Sequence, residues 1–120
     1  METKSAAEEI AEERRAHARA LDEALERILR HLAARPEVRS VLLFGSYASG
    51  RRDLLTDLDL IVVMKSGEDF ITRTGRLYQG LPRVAVDLDL LVYTPEEFER
   101  MKERSFVRNA LETGRILLAR

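Results

Sequence analysis

Residues 41–64 read VLLFGSYASGRRDLLTDLDLIVVM, a stretch in which two apolar runs are separated by a polar connection. The first run, residues 41–44, ends before Gly45-Ser46. The second run, residues 58–64, comes directly after Asp57 and has Asp59 as its second residue. Apolar runs of about 4–8 residues that are bounded by turn residues are typical of buried β-strands. The stretch therefore predicts two strands of one sheet, with a tight turn after the first and two carboxylates at the start of the second.

A long helix is predicted upstream of this stretch. Residues 5–34 contain neither Gly nor Pro, and Ser5 followed by Glu8 has the spacing of a capping box at a helix start. We expect the helix to end before Pro36. Its second half places apolar residues on one face, which we expect to pack on the domain: Leu21, Leu25, Ile28, Leu29 and Leu32.

The first half of this helix differs from the second. Residues 8–19 carry charges on almost every side, so we expect this half to project into solvent or to contact a partner. We accordingly divide the chain into a charged helical part, residues 1–20, and a domain, residues 21–120. A length of 120 residues suits one compact domain rather than two.

Two helices, a third strand and a short tail follow the second strand. Hydrophobic periodicity predicts a helix over 69–79 and a third strand over 84–93. Thr94, as an N-cap followed by Pro, starts a helix that we expect to run to about residue 113. The apolar residues 116–118 add a short last strand. The expected fold is therefore α/β, with a small mixed sheet of three or four strands, packed helices and a long N-terminal helix.

Charge and composition exclude several classes of protein. The chain has 20 Lys and Arg residues against 21 Asp and Glu residues and a net charge of −1, which disfavours strong general binding to nucleic acid. It has no Cys, which excludes disulfides and thiolate zinc sites. No apolar run is long enough to cross a membrane, and the acidic N-terminus is unlike a signal peptide, so we expect a cytoplasmic protein.

Two copies of one pattern lie thirty residues apart, since residues 57–63 read DLDLIVV and residues 87–93 read DLDLLVY. Alternate side chains of a strand share a face, so each copy presents two carboxylates together: Asp57 with Asp59, and Asp87 with Asp89. Up to four carboxylates at one end of a sheet repel one another unless a cation neutralises them. A ligand set of oxygen atoms without His or Cys favours Mg²⁺ or Mn²⁺ over zinc.

The Gly45-Ser46 turn suits the binding of phosphate. Glycine allows close backbone approach, and the serine hydroxyl can donate to an anion. A short helix that starts at this turn would add free N–H groups to the contact. A triphosphate held there, beside metal-bound carboxylates, is the arrangement for phosphoryl or nucleotidyl transfer through two metal ions.

Gly45-Ser46, ten intervening residues and the pair formed by Asp57 and Asp59 match the pattern G-S-x10-D-x-D. The chain thereby resembles the DNA polymerase beta-type nucleotidyltransferase superfamily, and in particular its smallest members, the minimal nucleotidyltransferases (MNT). The resemblance extends over about residues 21–120.

The resemblance implies a role for each residue of the site. The Gly-Ser turn would bind the nucleotide, with Ser46 on its terminal phosphates. Asp57 and Asp59 would ligate the metals that hold the triphosphate. Asp89 is favoured as the third ligand, which binds the catalytic metal and helps to deprotonate the acceptor hydroxyl. Asp87 is the alternative third ligand.

The implied activity is Mg²⁺-dependent transfer of a nucleoside monophosphate, AMP from ATP in the first instance, to a hydroxyl acceptor. A domain of this length has no separate substrate-binding domain, so specificity would come from a partner protein, a second copy of the chain in a homo-oligomer, or a protein acceptor. Many MNT proteins are antitoxins that pair with a small HEPN toxin, and some adenylylate it, which makes a HEPN-type protein the expected partner. The alternative is a non-catalytic module of the same fold that only binds a partner.

Overall fold

A four-stranded mixed sheet organises residues 3–120, the part of the chain that this computed structural model describes. The elements in chain order are α1 (Ala6–Ala33), β1 (Val38–Phe44), α2 (Gly45–Ala48), β2 (Leu58–Met64), α3 (Phe70–Gly80), β3 (Leu88–Tyr93), α4 (Pro95–Met101), α5 (Ser105–Thr113) and β4 (Arg115–Ala119). The α/β class, the mixed sheet and the long N-terminal helix confirm the fold predicted from the sequence.

The sheet has the strand order β3-β2-β1-β4. β1 is antiparallel to both β2 and β4, whereas β2 and β3 are parallel neighbours. β4 confirms the short last strand predicted from residues 116–118. A parallel pair needs a crossover connection, and α3 supplies it between β2 and β3. The crossover brings the starts of β2 and β3, with their aspartates, to one end of the sheet, next to the end of β1.

Alternation of side chains divides the core between the two faces of the sheet. α1 and α3 cover one face, on which α1 buries one side of its second half: Leu21, Ala24, Ile28 and Leu32. α4 and α5 cover the other face around a smaller buried cluster: Leu42, Ile61, Val63 and Ala110. Asp59 stands two residues before Ile61, so its side chain belongs to this second face.

α1 begins at the predicted N-cap and buries the predicted side of its second half. The Ser5 hydroxyl accepts a hydrogen bond from the Glu8 N–H at 3.2 Å, and the helix ends at Ala33. The second half of α1 carries the buried side, whereas residues 3–10 are exposed. Among the helices in the described part of the chain, none is both long and apolar enough to cross a membrane.

The third strand is shorter than predicted. β3 covers Leu88–Tyr93, whereas the apolar pattern predicted residues 84–93. β2 begins at Leu58, whose N–H donates to Asp87 O at 3.1 Å, so the residues before Asp87 have no neighbouring strand to pair with. Apolar side chains of residues 84–87 pack against the core instead, which accounts for the apolar pattern.

The single helix predicted over 94–113 is two helices. α4 starts with Thr94 as N-cap, in a complete capping box with Glu97, but it ends at Met101. The backbone is extended at Arg104, with a ψ of 139°, and α5 begins at the next residue. α4 packs against β2 and β3, and α5 packs against β1. Because the sheet twists, one straight helix could not pack against β1 as well as against β2 and β3. The chain therefore changes direction between α4 and α5.

Arg73, on α3, is a buried charge with 4% of its surface exposed. Its guanidinium donates to Val92 O and Glu68 O, each at 3.0 Å, and forms an ion pair with Glu97. Arg73→Met would leave these acceptors without a donor, so we expect the free energy of unfolding, measured with urea, to fall by about 3 kcal/mol. Arg76→Met removes an exposed ion pair with Glu68 and should cost less than about 1 kcal/mol. Equal losses of unfolding free energy in the two variants would contradict the view that burial makes the contacts of Arg73 more important than those of Arg76.

Candidate active site

Asp59 and Asp89 lie opposite each other on β2 and β3. The parallel register pairs these two residues directly, and Asp89 is close enough for its charge to act on the carboxyl group of Asp59. On the other side of Asp59, the antiparallel register places Phe44 of β1. Paired residues on adjacent strands share a face, so a slip of one residue would move one carboxyl group to the opposite face. The register of β2 and β3 therefore fixes the carboxylate pair.

Gly45 lies directly against Asp59. Its φ is +79°, in the region that favours glycine, and a Cβ atom built on it would lie 2.2 Å from Asp59 Oδ2. α2 starts at Gly45 and includes Ser46, so the turn after β1 does open a short helix. The backbone of this turn and the carboxylate pair thus form one continuous site, although they come from different parts of the chain.

The carboxyl group of Asp59 resists ionisation. Its pKa is raised from 3.8 to about 6, first by burial, then by the charge and hydrogen bond of Asp89, and then by the charge of Asp57. The folded protein holds a proton here that the unfolded chain releases, so this group makes stability fall as the pH rises from about 4 to about 6. A bound cation would offset this loss.

We expect the Asp59 carboxyl group of metal-free protein to titrate with a midpoint near pH 6, as measured by carbon-13 NMR. Mg²⁺ should lower the midpoint because a nearby cation favours the charged form. Asp69 serves as the internal control, since hydrogen bonding from Thr72 at the start of α3 lowers its pKa and its midpoint should not respond to Mg²⁺. A midpoint near 3.8 for Asp59 would contradict the crowding of carboxyl groups.

The donor set suits a hard divalent cation. Asp59 and Asp89 would hold it through carboxylate oxygens, with Asp57 close enough to act on the charge of Asp59. Within residues 3–120, no three acidic or His side chains converge closely enough to form a complete metal cage. Mg²⁺ does not require one, because proteins usually hold it through one or two carboxylates together with substrate phosphates. These residues therefore fit a metal ion whose remaining ligands come from the phosphates of a bound substrate.

Asp53 holds the connection between α2 and β2. Arg51 donates to both of its carboxylate oxygens, at 2.8 and 2.9 Å. The Leu55 N–H and the Thr56 hydroxyl donate to the same carboxylate. The Arg51 guanidinium, as the main cause, lowers the pKa of Asp53 to about 2. These bonds fix the chain immediately before Asp57.

Tyr47 packs the turn onto α1. It is only 5% exposed, its hydroxyl donates to Asp22 of α1, and the Arg52 guanidinium carbon lies 3.6 Å from the centre of its ring. A second contact from α1 joins His17 Nε2 to Thr56 O at 2.9 Å. α1 therefore supports the connection that leads to the carboxylates, which no motif or spacing in the sequence indicated.

The predicted third ligand and its alternative occupy different positions. Both residues are exposed, but Asp89 is paired with Asp59 in the register, whereas Asp87 precedes β3 and lies outside it. The carboxylates that raise the pKa of Asp59 are Asp89 and Asp57. The geometry thus favours Asp89 over Asp87. Tyr78 is a further contact to this end of β3, and the sequence pattern marked it only as one apolar position of α3.

Known proteins resemble this chain in sequence. The family described as polymerase beta, nucleotidyltransferase matches residues 26–120. A protein of Methanocaldococcus jannaschii named “putative protein adenylyltransferase” is 31% identical over 83 residues, which are 69% of this chain and 81% of that protein.

Two solved structures share the fold. A “putative nucleotidyltransferase” from Sulfolobus solfataricus has a TM-score of 0.53 at 18% identity, over 100% of this chain and 93% of its own. A toxin–antitoxin structure with AMP-PNP has a TM-score of 0.50 at 23% identity, over 82% of this chain and 73% of its own. The family match confirms the resemblance inferred from the sequence motif.

Proposed function

The chain belongs to the polymerase beta nucleotidyltransferase family, and from this we propose that it transfers AMP from ATP to a hydroxyl group of a protein, releasing pyrophosphate in a Mg²⁺-dependent reaction. The observation that carries the proposal is the contact of Gly45 with Asp59, which in turn lies opposite Asp89. A phosphate-binding turn and two carboxylates are thereby combined in one site. A cytoplasmic location fits a reaction that consumes ATP.

Each part of the site has a task in this reaction. Ser46 and the backbone of the Gly45 turn contact the terminal phosphates of ATP. Asp57 and Asp59 would hold the metal that accompanies the triphosphate, and Asp89 would bind the catalytic metal. Divalent cations, when bound, would offset the charge that develops on the leaving pyrophosphate. Asp89 accepts the proton of the acceptor hydroxyl, whose oxygen forms the new bond to the α-phosphorus. The bond from the α-phosphorus to the β-phosphate bridging oxygen breaks.

A protein is the acceptor that we favour, and specifically a HEPN-type toxin for which this chain would be the antitoxin. The similar Methanocaldococcus jannaschii protein is named for protein adenylylation, which supports the acceptor class. The MNT resemblance of the sequence supports the toxin as partner. A second copy of this chain, in a homo-oligomer, is the other protein that could supply the acceptor hydroxyl.

Incubation of the purified protein with α-labelled ATP, Mg²⁺ and lysate of its own host tests this function. We expect a labelled protein band that disappears when EDTA removes the metal. A purified HEPN protein, if one is encoded beside this chain, then replaces the lysate and should take up the label. Label found only in small molecules would contradict a protein acceptor. A lack of both label and Mg²⁺-dependent ATP binding would favour the non-catalytic partner-binding module.

A further inference from the structure

Tyr78 of α3 contacts β3 on both sides of Asp89. Its hydroxyl donates to Leu88 O at 3.0 Å and accepts from the Leu90 N–H at 2.7 Å. β3 is an edge strand whose one neighbour is β2, so these two backbone groups point away from the sheet. A single side-chain hydroxyl thus takes the place of a missing strand at the peptide groups that flank Asp89.

Asp89 needs such support more than other residues of β3. It is an exposed residue on an edge strand, and its partner in the register, Asp59, repels it whenever both are charged. At the far end of β3, the Arg73 guanidinium bonds to Val92 O at 3.0 Å. The end that carries the carboxylates is the end that Tyr78 secures.

The Tyr78 hydroxyl remains a donor under ordinary conditions. Burial raises its pKa above the usual 10.0; the hydrogen bond from the Leu90 N–H acts against this shift, and the negative charges of Asp89 and Asp59 add to it. It therefore keeps its proton at neutral pH and can donate to Leu88 O while accepting from the Leu90 N–H.

We propose that Tyr78 is a positioning residue for nucleotidyl transfer, which keeps Asp89 opposite Asp59 by bridging Leu88 O and the Leu90 N–H. The inference rests on the proposed function for its kinetic consequence. Tyr78 touches neither the nucleotide nor the acceptor in this role. It acts through the backbone of β3 on the carboxylate that receives the acceptor proton.

Tyr78→Phe removes the bridge and keeps the ring, and Tyr93→Phe is the matched control. Tyr93 lies at the other end of the same strand, where its ring packs beside Phe98. We expect Tyr78→Phe to lower kcat about tenfold with the KM for ATP changed less than about twofold, since the triphosphate is held by other residues. Tyr93→Phe should keep kcat within about twofold of the original protein. Equal kcat values in the two variants would overturn the proposal.

Binding of Mn²⁺ alone provides a readout that does not depend on transfer. Paramagnetic broadening of the Asp59 and Asp89 amide signals gives the Mn²⁺ affinity, which should fall about tenfold in Tyr78→Phe and remain unchanged in Tyr93→Phe. Faster hydrogen exchange at the Leu90 amide, with Mn²⁺ affinity unchanged, would reduce Tyr78 to a structural role. If the original protein transfers no nucleotide at all, the proposed function fails, and Mn²⁺ affinity alone then decides whether Tyr78 positions the carboxylates.

Discussion

Asp59→Asn is expected to reduce nucleotidyl transfer about 10³-fold while it makes the metal-free protein more stable above about pH 6. Asn keeps the size of the side chain but lacks the charge that, in the proposed function, holds the metal. The same change removes the repulsion with Asp89 and Asp57 that raises the pKa of Asp59. Opposite effects on activity and stability are expected where a fold maintains a strained functional group.

Single-turnover labelling and thermal unfolding in EDTA measure the two effects. Stability should increase in Asp59→Asn at about pH 8 and change little at about pH 4, because Asp59 of the original protein is already protonated there. Asp87→Asn is the matched control, as Asp87 is exposed and lies outside the pair. It should keep transfer within about tenfold of the original protein. Full activity in Asp89→Asn, together with a large loss in Asp87→Asn, would reverse the choice of the third ligand.

Gly45→Ala is expected to abolish transfer, with a loss of at least about 100-fold, and to destabilise the fold. The new Cβ would lie 2.2 Å from Asp59 Oδ2, so either the carboxyl group or the turn must move. Overpacking of this kind costs about 1–3 kcal/mol, and the positive φ adds about 1–2 kcal/mol. Labelling and urea denaturation provide the two values.

Gly50→Ala separates the two causes. Gly50 also has a positive φ, of +99°, but a Cβ atom built there meets nothing within 4 Å. The Gly50→Ala variant should therefore lose stability through its positive φ, as Gly45→Ala does, but keep its transfer activity. If Gly50→Ala lost transfer to the same extent as Gly45→Ala, contact between the turn and Asp59 would not be the reason for the loss.

The strands and the carboxylates were predictable because they depend on short patterns. The run over 58–64 matched β2 to the residue, and the repeated D-x-D pattern placed acids at the starts of two strands. The pattern could not choose between Asp87 and Asp89, because that choice depends on the register of a parallel pair. Register is a property of two strands together, and the D-x-D pattern of one strand does not specify which residue of the other lies opposite it.

Tertiary packing explains what the sequence did not show. Lys102 and its neighbours suit a helix interior in isolation, yet the helix breaks there because α4 and α5 pack on different strands. The contacts of Tyr78 with β3 and of Tyr47 with Asp22 join residues of different elements, 10 and 25 positions apart in the chain. Such contacts produce no periodic pattern in the sequence, so they can be identified only once the fold is known.

The crossover through α3 also determines when the site can exist during folding. β1 and β2 pair across the short connection of residues 45–57, whereas β2 and β3 pair only after residues 65–87 have been ordered. Pairings that close longer loops form later, and here the closing step also meets carboxylate repulsion. We therefore expect the contact of Asp59 with Asp89 to form after β1 and β2 have paired. A partly folded chain would hold the turn without the acid pair, and could not catalyse nucleotidyl transfer before β2 and β3 have paired.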